Sequence, residues 1–150
     1  MYTTILVPLD GSTLAESVLP HVEELAKLFG STVILVHVME LSHLVGVTKG
    51  ELYDSLPQMT PAEVNNQMNE ARRYLDALVE RMKGEDIKAR GIVEYGPVVA
   101  TIMRVARQYE VELIAMASHG RGGLTDVYYG SVAGGVLQRI DRPLLIVRAQ

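Results

Sequence analysis

The sequence contains no cysteine, which excludes a disulfide framework, thiolate chemistry and any cysteine-ligated metal. It also lacks an excess of positive charge: 14 lysines and arginines stand against 18 aspartates and glutamates, a formal net charge of -4. A field of that sign draws neither nucleic acid nor an anionic membrane. Any anionic ligand must therefore be held by local dipoles or by a metal ion. No run of about eighteen apolar residues is present to span a bilayer, and the opening MYTTILVPLDGS has neither the basic stretch nor the long apolar run of a signal peptide. No membrane insertion and a cytoplasmic location are the expectation. Two phosphate-binding motifs are missing as well. There is no Gly-Lys-Ser/Thr triplet and no Gly-x-Gly-x-x-Gly after the first apolar run, so neither a P-loop nor a dinucleotide-binding site is supported.

What is present describes one soluble globular domain, residues 1–150. Hydrophobic residues make up 48% and charged residues 21% of the chain, which argues against disorder and fibrous repeats. The β-branched and aliphatic runs at 3–9 and 31–39 read as buried parallel strands. Between them Leu14, Val18, Val22, Leu25 and Phe29 recur at helical spacing, with Thr13 and Glu16 as a capping box. Pro20 falls inside that pattern, which predicts a kinked helix. The stretch from Glu40 to Thr60 shows no sustained period and is the lid candidate. Thr60, Pro61 and Glu63 then provide an N-cap, a first-turn proline and a reciprocal cap. They open a helix over 61–83 whose apolar face is Val64, Met68, Ala71, Leu75, Leu78 and Met82.

A strand at 87–95 follows, and Gly96-Pro97 opens a helix facing inward through Val99, Ile102, Met103, Ala106 and Tyr109. A fourth strand is expected at 111–117, a short helix over 131–140 and a last strand at 143–149. Strand and helix alternate throughout, which predicts an α/β fold: a single open parallel sheet with helices on both faces.

In such sheets ligands sit beyond the carboxyl ends of the strands, where strand order reverses. The segment MASHGRGGLTDVYYGSVAGG, residues 116–135, lies at such an end. Gly120, Gly122 and Gly123 permit positive φ and close approach to the main chain, while Gly130 and Ser131 sit where the next helix begins. The first free N–H groups of that helix, at Ser131 and Val132, would point outward with the positive end of its dipole. This is an anion cradle built from neutral hydrogen bonds, to which Arg121 adds one charge. Local pattern leaves open a plainer alternative, in which the glycines only turn a loop and the serine only caps a helix.

Here the chain resembles the universal stress protein family, whose nucleotide-binding members carry Gly, two residues, Gly, nine residues, then Gly followed by Ser or Thr. The spacing is met by Ala117, Ser118-His119, Gly120, Arg121 through Tyr129, and Gly130-Ser131, with Ala117 replacing the first glycine. ILVPLDGS at the first strand, LVHV at the second, GP before the third helix and PLLIV near the end extend the likeness over nearly the whole chain. The resemblance implies a five-stranded sheet of order 3-2-1-4-5 and an ATP site. In it Asp10 would contact the ribose, the main chain of Val38 would pair with adenine and Pro8 would line the base pocket. The main chain at Ala117 would approach the ribose, and Gly120, Gly130, Ser131 and Val132 would carry the phosphates. If position 117 needs positive φ, its methyl group costs about 1 kcal/mol. Asp10 has a local alternative too, as an Asp-Gly-Ser turn.

The remaining chemistry is thin. Ser118 and His119 are adjacent, but neighbouring side chains usually diverge and no Gly-x-Ser-x-Gly elbow surrounds them. His21, His37 and His43 have no helical metal-ligand spacing, and His37 reads as a core or strand-end histidine. No paired carboxylates stand out, so no catalytic residue is assigned and slow ATP hydrolysis is the most expected. A Mg2+ or Mn2+ ion bridging the phosphates fits the charge balance, with its protein ligands unassigned. Gly134 and Gly135 inside a helix suggest close packing on the sheet or on a second subunit. The apolar 143–149 strand falls at the sheet edge and is expected to pair in a homodimer, as in the family. The expected function is an ATP-dependent sensor or regulator in a stress response, acting on an unidentified protein partner. The rivals are a stress-response dimer that binds no nucleotide and acts as an interaction module, and a slow ATPase.

Overall fold

A computed structural model describes residues 1–40, 60–119 and 129–148. The lid candidate between Glu40 and Thr60, and Gly120, Arg121, Gly122 and Gly123, lie outside the described residues. The order of elements is β1 (Thr4–Pro8), a 3-10 turn (Ala15–Val18), α1 (Leu19–Phe29), β2 (Thr32–Met39), α2 (Pro61–Gly84), β3 (Lys88–Tyr95), α3 (Val98–Gln108), β4 (Leu113–Ala117), α4 (Ser131–Arg139) and β5 (Leu144–Val147). The five strands form one sheet in the order β3-β2-β1-β4-β5, every pair parallel. The sheet is open, with β3 and β5 at its edges.

Alternation along the strands sorts the core into two layers. Ile5 and Val7 of β1 and Val33 and Leu35 of β2 pack with Val22 and Ala26 of α1 and with Leu75, Leu78, Val79 and Met82 of α2. Leu6, Ile34, Val36, Ile114 and Met116 face the other way, against Ile102, Met103, Val105 and Ala106 of α3 and Ala133 and Val136 of α4. Both faces of the sheet are thus covered, which is why the inner strands read as continuous apolar runs.

Local chemistry explains where the elements begin. Thr60 and Glu63 form the expected capping box at α2: the Thr60 N–H donates to Glu63 Oε2 at 2.7 Å, and the Glu63 N–H donates to Thr60 Oγ1 at 3.2 Å. The capping box expected at Thr13 and Glu16 is not formed. There the Ala15 N–H donates to Ser12 Oγ at 3.1 Å, and Leu14, at the cap position of the 3-10 turn, makes no side-chain cap bond. The expected helix opens as a 3-10 turn that runs directly into α1 with helical backbone throughout, and Pro20 falls in the first turn of α1, where its missing N–H removes no bond of the α-helical ladder. Phe29 leaves the core as well; it is 40% exposed and meets Tyr2 edge to face at 5.4 Å.

Candidate functional site

The carboxyl ends of the inner strands open into a cleft of about 1080 Å³. It straddles the end of the sheet, reaching α2 on one side and α3 and the start of α4 on the other. Pro8, Asp10, Val38, Ala117, Gly130, Ser131 and Val132 all line it, so seven positions named from the sequence meet at one place. Gly120 and Arg121 lie outside the described residues.

β1 supplies the first wall. After Pro8 the chain leaves the sheet through Leu9, Asp10 and Gly11, whose φ of 88° is the left-handed backbone that favours glycine. Asp10 Oδ1 accepts the Ser12 N–H at 2.9 Å, so the Asp-Gly-Ser turn expected from local pattern is formed while Asp10 also lines the cleft.

β2 outruns β1, and its register fixes which main-chain groups are exposed there. The Thr32 N–H donates to Thr3 O at 2.8 Å and Val36 O accepts the Leu9 N–H at 2.9 Å, whereas Met39 O accepts from Gly96 on the β3 side at 3.0 Å. Even-numbered residues of β2 therefore point their peptide groups at β1 and odd-numbered ones at β3. Pairing with β1 ends at Pro8 and Val36. The N–H and C=O of Val38 thus face the side of the cleft that β1 has vacated.

β4 and α4 make the far wall. Ala117 is the last residue of β4, buried and without positive φ. An extended strand position accepts alanine as readily as glycine, so the strain anticipated there is absent. Beyond it, Ser118 O accepts the Gly130 N–H at 2.7 Å. A Cβ at Gly130 would lie 3.4 Å from that same oxygen, an ordinary van der Waals contact. The Gly130 amide is thereby bonded within the protein, while Gly130 itself still lines the cleft beside Ser131 and Val132. Gly130 is the N-cap of α4 and gives no side-chain cap, while Gly134 N–H closes the first turn on Gly130 O at 2.9 Å. Ser131 is the first helical residue rather than the cap, so the plainer reading of a serine capping the helix does not hold. The N–H groups of Ser131, Val132 and Ala133 precede that first bond and have no helical acceptor; all three residues line the cleft.

Ser118 and His119 do not diverge as expected: Ser118 Oγ lies 3.0 Å from His119 Nδ1, and Ser118 is 1% exposed. Among the described residues they are joined by no third member of a triad. His119 Nε2 is buried without a partner among the described residues, whereas a serine–histidine base needs a third group to orient it. The described residues contain no cluster of three or more His, Asp or Glu arranged to hold a metal ion. No described lysine or arginine lines the cleft.

The sequence reading missed the α2 wall. Gln67, Glu70, Ala71 and Tyr74 line the cleft, and their spacing of three, one and three places them on one helical stripe beside the apolar face. That stripe was visible in the sequence, but nothing in it said which flank of the helix overhangs the strand ends. Burial pushes the Tyr74 phenol well above its ordinary range, with the Glu16 carboxylate acting in the same direction.

An open parallel sheet of this order, with its cleft at the strand ends and an uncapped helix start in that cleft, defines the class: a doubly wound α/β protein. Comparison with known proteins takes this further. The universal stress protein family model matches residues 1–148, and the chain belongs to the universal stress protein family. It is 29% identical to universal stress protein MJ0577 of Methanocaldococcus jannaschii, across 99% of this chain and 96% of that one. The solved MJ0577 structure superposes with a TM-score of 0.83, covering 100% of this chain and 98% of that one at 28% identity. Universal stress protein YxiE of Bacillus subtilis is 28% identical, over 99% of this chain and 100% of its own. A universal stress protein of Archaeoglobus fulgidus, solved in complex with dAMP, shares the fold at a TM-score of 0.67 and 22% identity, covering 97% of each chain.

Proposed function

We propose that this universal stress protein binds ATP in the cleft at the strand ends and acts as a nucleotide-dependent sensor or regulator in a stress response. The observation that carries the reading is a convergence on one cleft. It holds a main-chain donor and acceptor at Val38, a carboxylate at Asp10, and the uncapped N–H groups of Ser131, Val132 and Ala133. Those three features match a base edge, a sugar hydroxyl and a phosphate tail in turn. Pro8 and Ala117 complete the walls around base and ribose. The dAMP complex of the Archaeoglobus fulgidus relative supports an adenine nucleotide as the ligand class.

Charge decides what else is needed. ATP brings about four negative charges to a protein of net charge -4, and the helix start offsets about half of one. A Mg2+ or Mn2+ ion would therefore take most of its ligands from phosphate oxygens and water, in the manner of ions that keep only one or two protein carboxylates. No lysine or arginine among the described residues lines the cleft to stabilise a departing γ-phosphate, so slow turnover at most is expected.

Equilibrium binding of ATP with and without Mg2+, followed by phosphate release over hours, tests the reading. Binding without release is the expected result. Failure to bind leaves the protein as an interaction module, and fast release makes it an enzyme. Mass spectrometry of small molecules freed from the purified protein reports whether nucleotide is carried from the cell.

A further inference from the structure

We infer that His37 is a positioning residue that keeps the N–H and C=O of Val38 open for a base edge and so sets a preference for adenine. The inference rests on the nucleotide reading of the cleft. In a parallel ladder, the rung after Leu9 N–H to Val36 O runs from the Val38 N–H to the Leu9 carbonyl. The first of these is formed, at 2.9 Å; the second is absent among the described residues. The Leu9 carbonyl oxygen instead lies 2.9 Å from His37 Nδ1. A carbonyl oxygen carries no proton, so Nδ1 is the donor and the ring holds its proton there.

The imidazole thus stands in for a backbone rung. It satisfies the Leu9 carbonyl from the side chain of the residue just before Val38, and the amide that would have closed the ladder has no backbone partner in β1 among the described residues. It also pins the Leu9 peptide at the point where the chain enters the Asp10 turn. One ring therefore sets both the end of β1 and the width of the gap beside β2. An N–H and a C=O on one residue present a donor beside an acceptor. The edge that matches them has an acceptor beside a donor, as adenine has at N1 and its 6-amino group. Hypoxanthine, with N1–H and a 6-oxo group, presents the reverse, and a site built for one pattern rejects the other through its unpaired groups.

The experiment compares ATP with inosine triphosphate on the full chain. The variants are His37→Phe, which keeps a ring without a donor, His37→Leu as a second donor-less form, and His37→Asn, whose amide N–H can reach about where Nδ1 sits. Wild type is expected to favour ATP by about tenfold or more. In the Phe and Leu variants the ratio falls toward one, mainly through weaker ATP binding, and Asn recovers most of it. In ligand-free protein, exchange of the Val38 amide hydrogen is expected to be fast in wild type and His37→Asn and slowed in the donor-less variants, where the rung closes. An unchanged ratio in the donor-less variants, equal weakening of both nucleotides, or a Val38 amide already protected in wild type overturns the inference. A wild type that binds neither nucleotide overturns the nucleotide reading instead. The exchange data then decide by themselves whether His37 withholds the rung.

Discussion

Single atoms decide several roles in the cleft. Asp10 serves its own turn through Oδ1 and, in the proposed function, the ribose. Asp10→Asn separates the two, because the amide oxygen still accepts the Ser12 N–H while the charge is lost. Thermal stability should be almost unchanged and ATP affinity about tenfold lower, since a hydrogen bond to a charged group contributes about 1.5–3 kcal/mol; calorimetric titration beside a melting curve checks both. The paired glycines of α4 also separate. A Cβ at Gly134 meets nothing within 4 Å, whereas one at Gly135 would lie 2.7 Å from Val99 Cγ2. Within one chain the close packing is therefore against α3 rather than the sheet, and belongs to Gly135. Gly134→Ala should stabilise by about 0.5–1 kcal/mol. Gly135→Ala should give no such gain, because valine is stiff at χ1. Combining it with Val99→Ala should restore the gain, and a denaturant double-mutant cycle measures the coupling.

Among the elements, those with a capping signal were legible and those set by competition between caps were not. α2 begins where Thr60, Pro61 and Glu63 announce it, since all three act within one turn. The start of α1 was misread because Ser12, Thr13 and Asp10 offer rival hydrogen-bonding groups within four residues. Which of them wins depends on how β1 releases the chain into the turn. Pro20 is the marker of this difference. In the interior of a longer helix its replacement by alanine would recover about 3 kcal/mol. In the first turn of α1 no bond is lost, so Pro20→Ala should shift stability by less than about 1 kcal/mol, and downward as the unfolded chain gains freedom. Equilibrium unfolding in urea distinguishes the two.

For the whole molecule, the open edge at β5 matters most. Leu145 and Val147 pack toward one core layer, and Leu144 and Ile146 toward the other, so both side-chain faces are used within the monomer. The outer row of peptide groups is what a second chain would meet. Ile114 donates to Pro143 O at 3.0 Å and Ser118 to Val147 O at 2.8 Å. Odd-numbered residues thus face β4, and the N–H of Ile146 points outward. Pairing of two copies through this edge is the proposed homodimer. Ile146→Pro removes an outer donor while sparing the β4 ladder. It should convert the dimer to monomer in sedimentation velocity with ATP affinity retained; a variant that still sediments as a dimer places the interface elsewhere.

By itself the sequence determined the alternation of strand and helix, the apolar stripes and the glycine spacing before α4, because each is a local period or a local backbone need. Tertiary structure alone decided that β2 overruns β1, that α2 overhangs the cleft, and that the Gly130 amide is spent on Ser118. Those outcomes follow from strand register and helix placement, which arise from contacts between residues far apart in the chain and leave no mark at any one position.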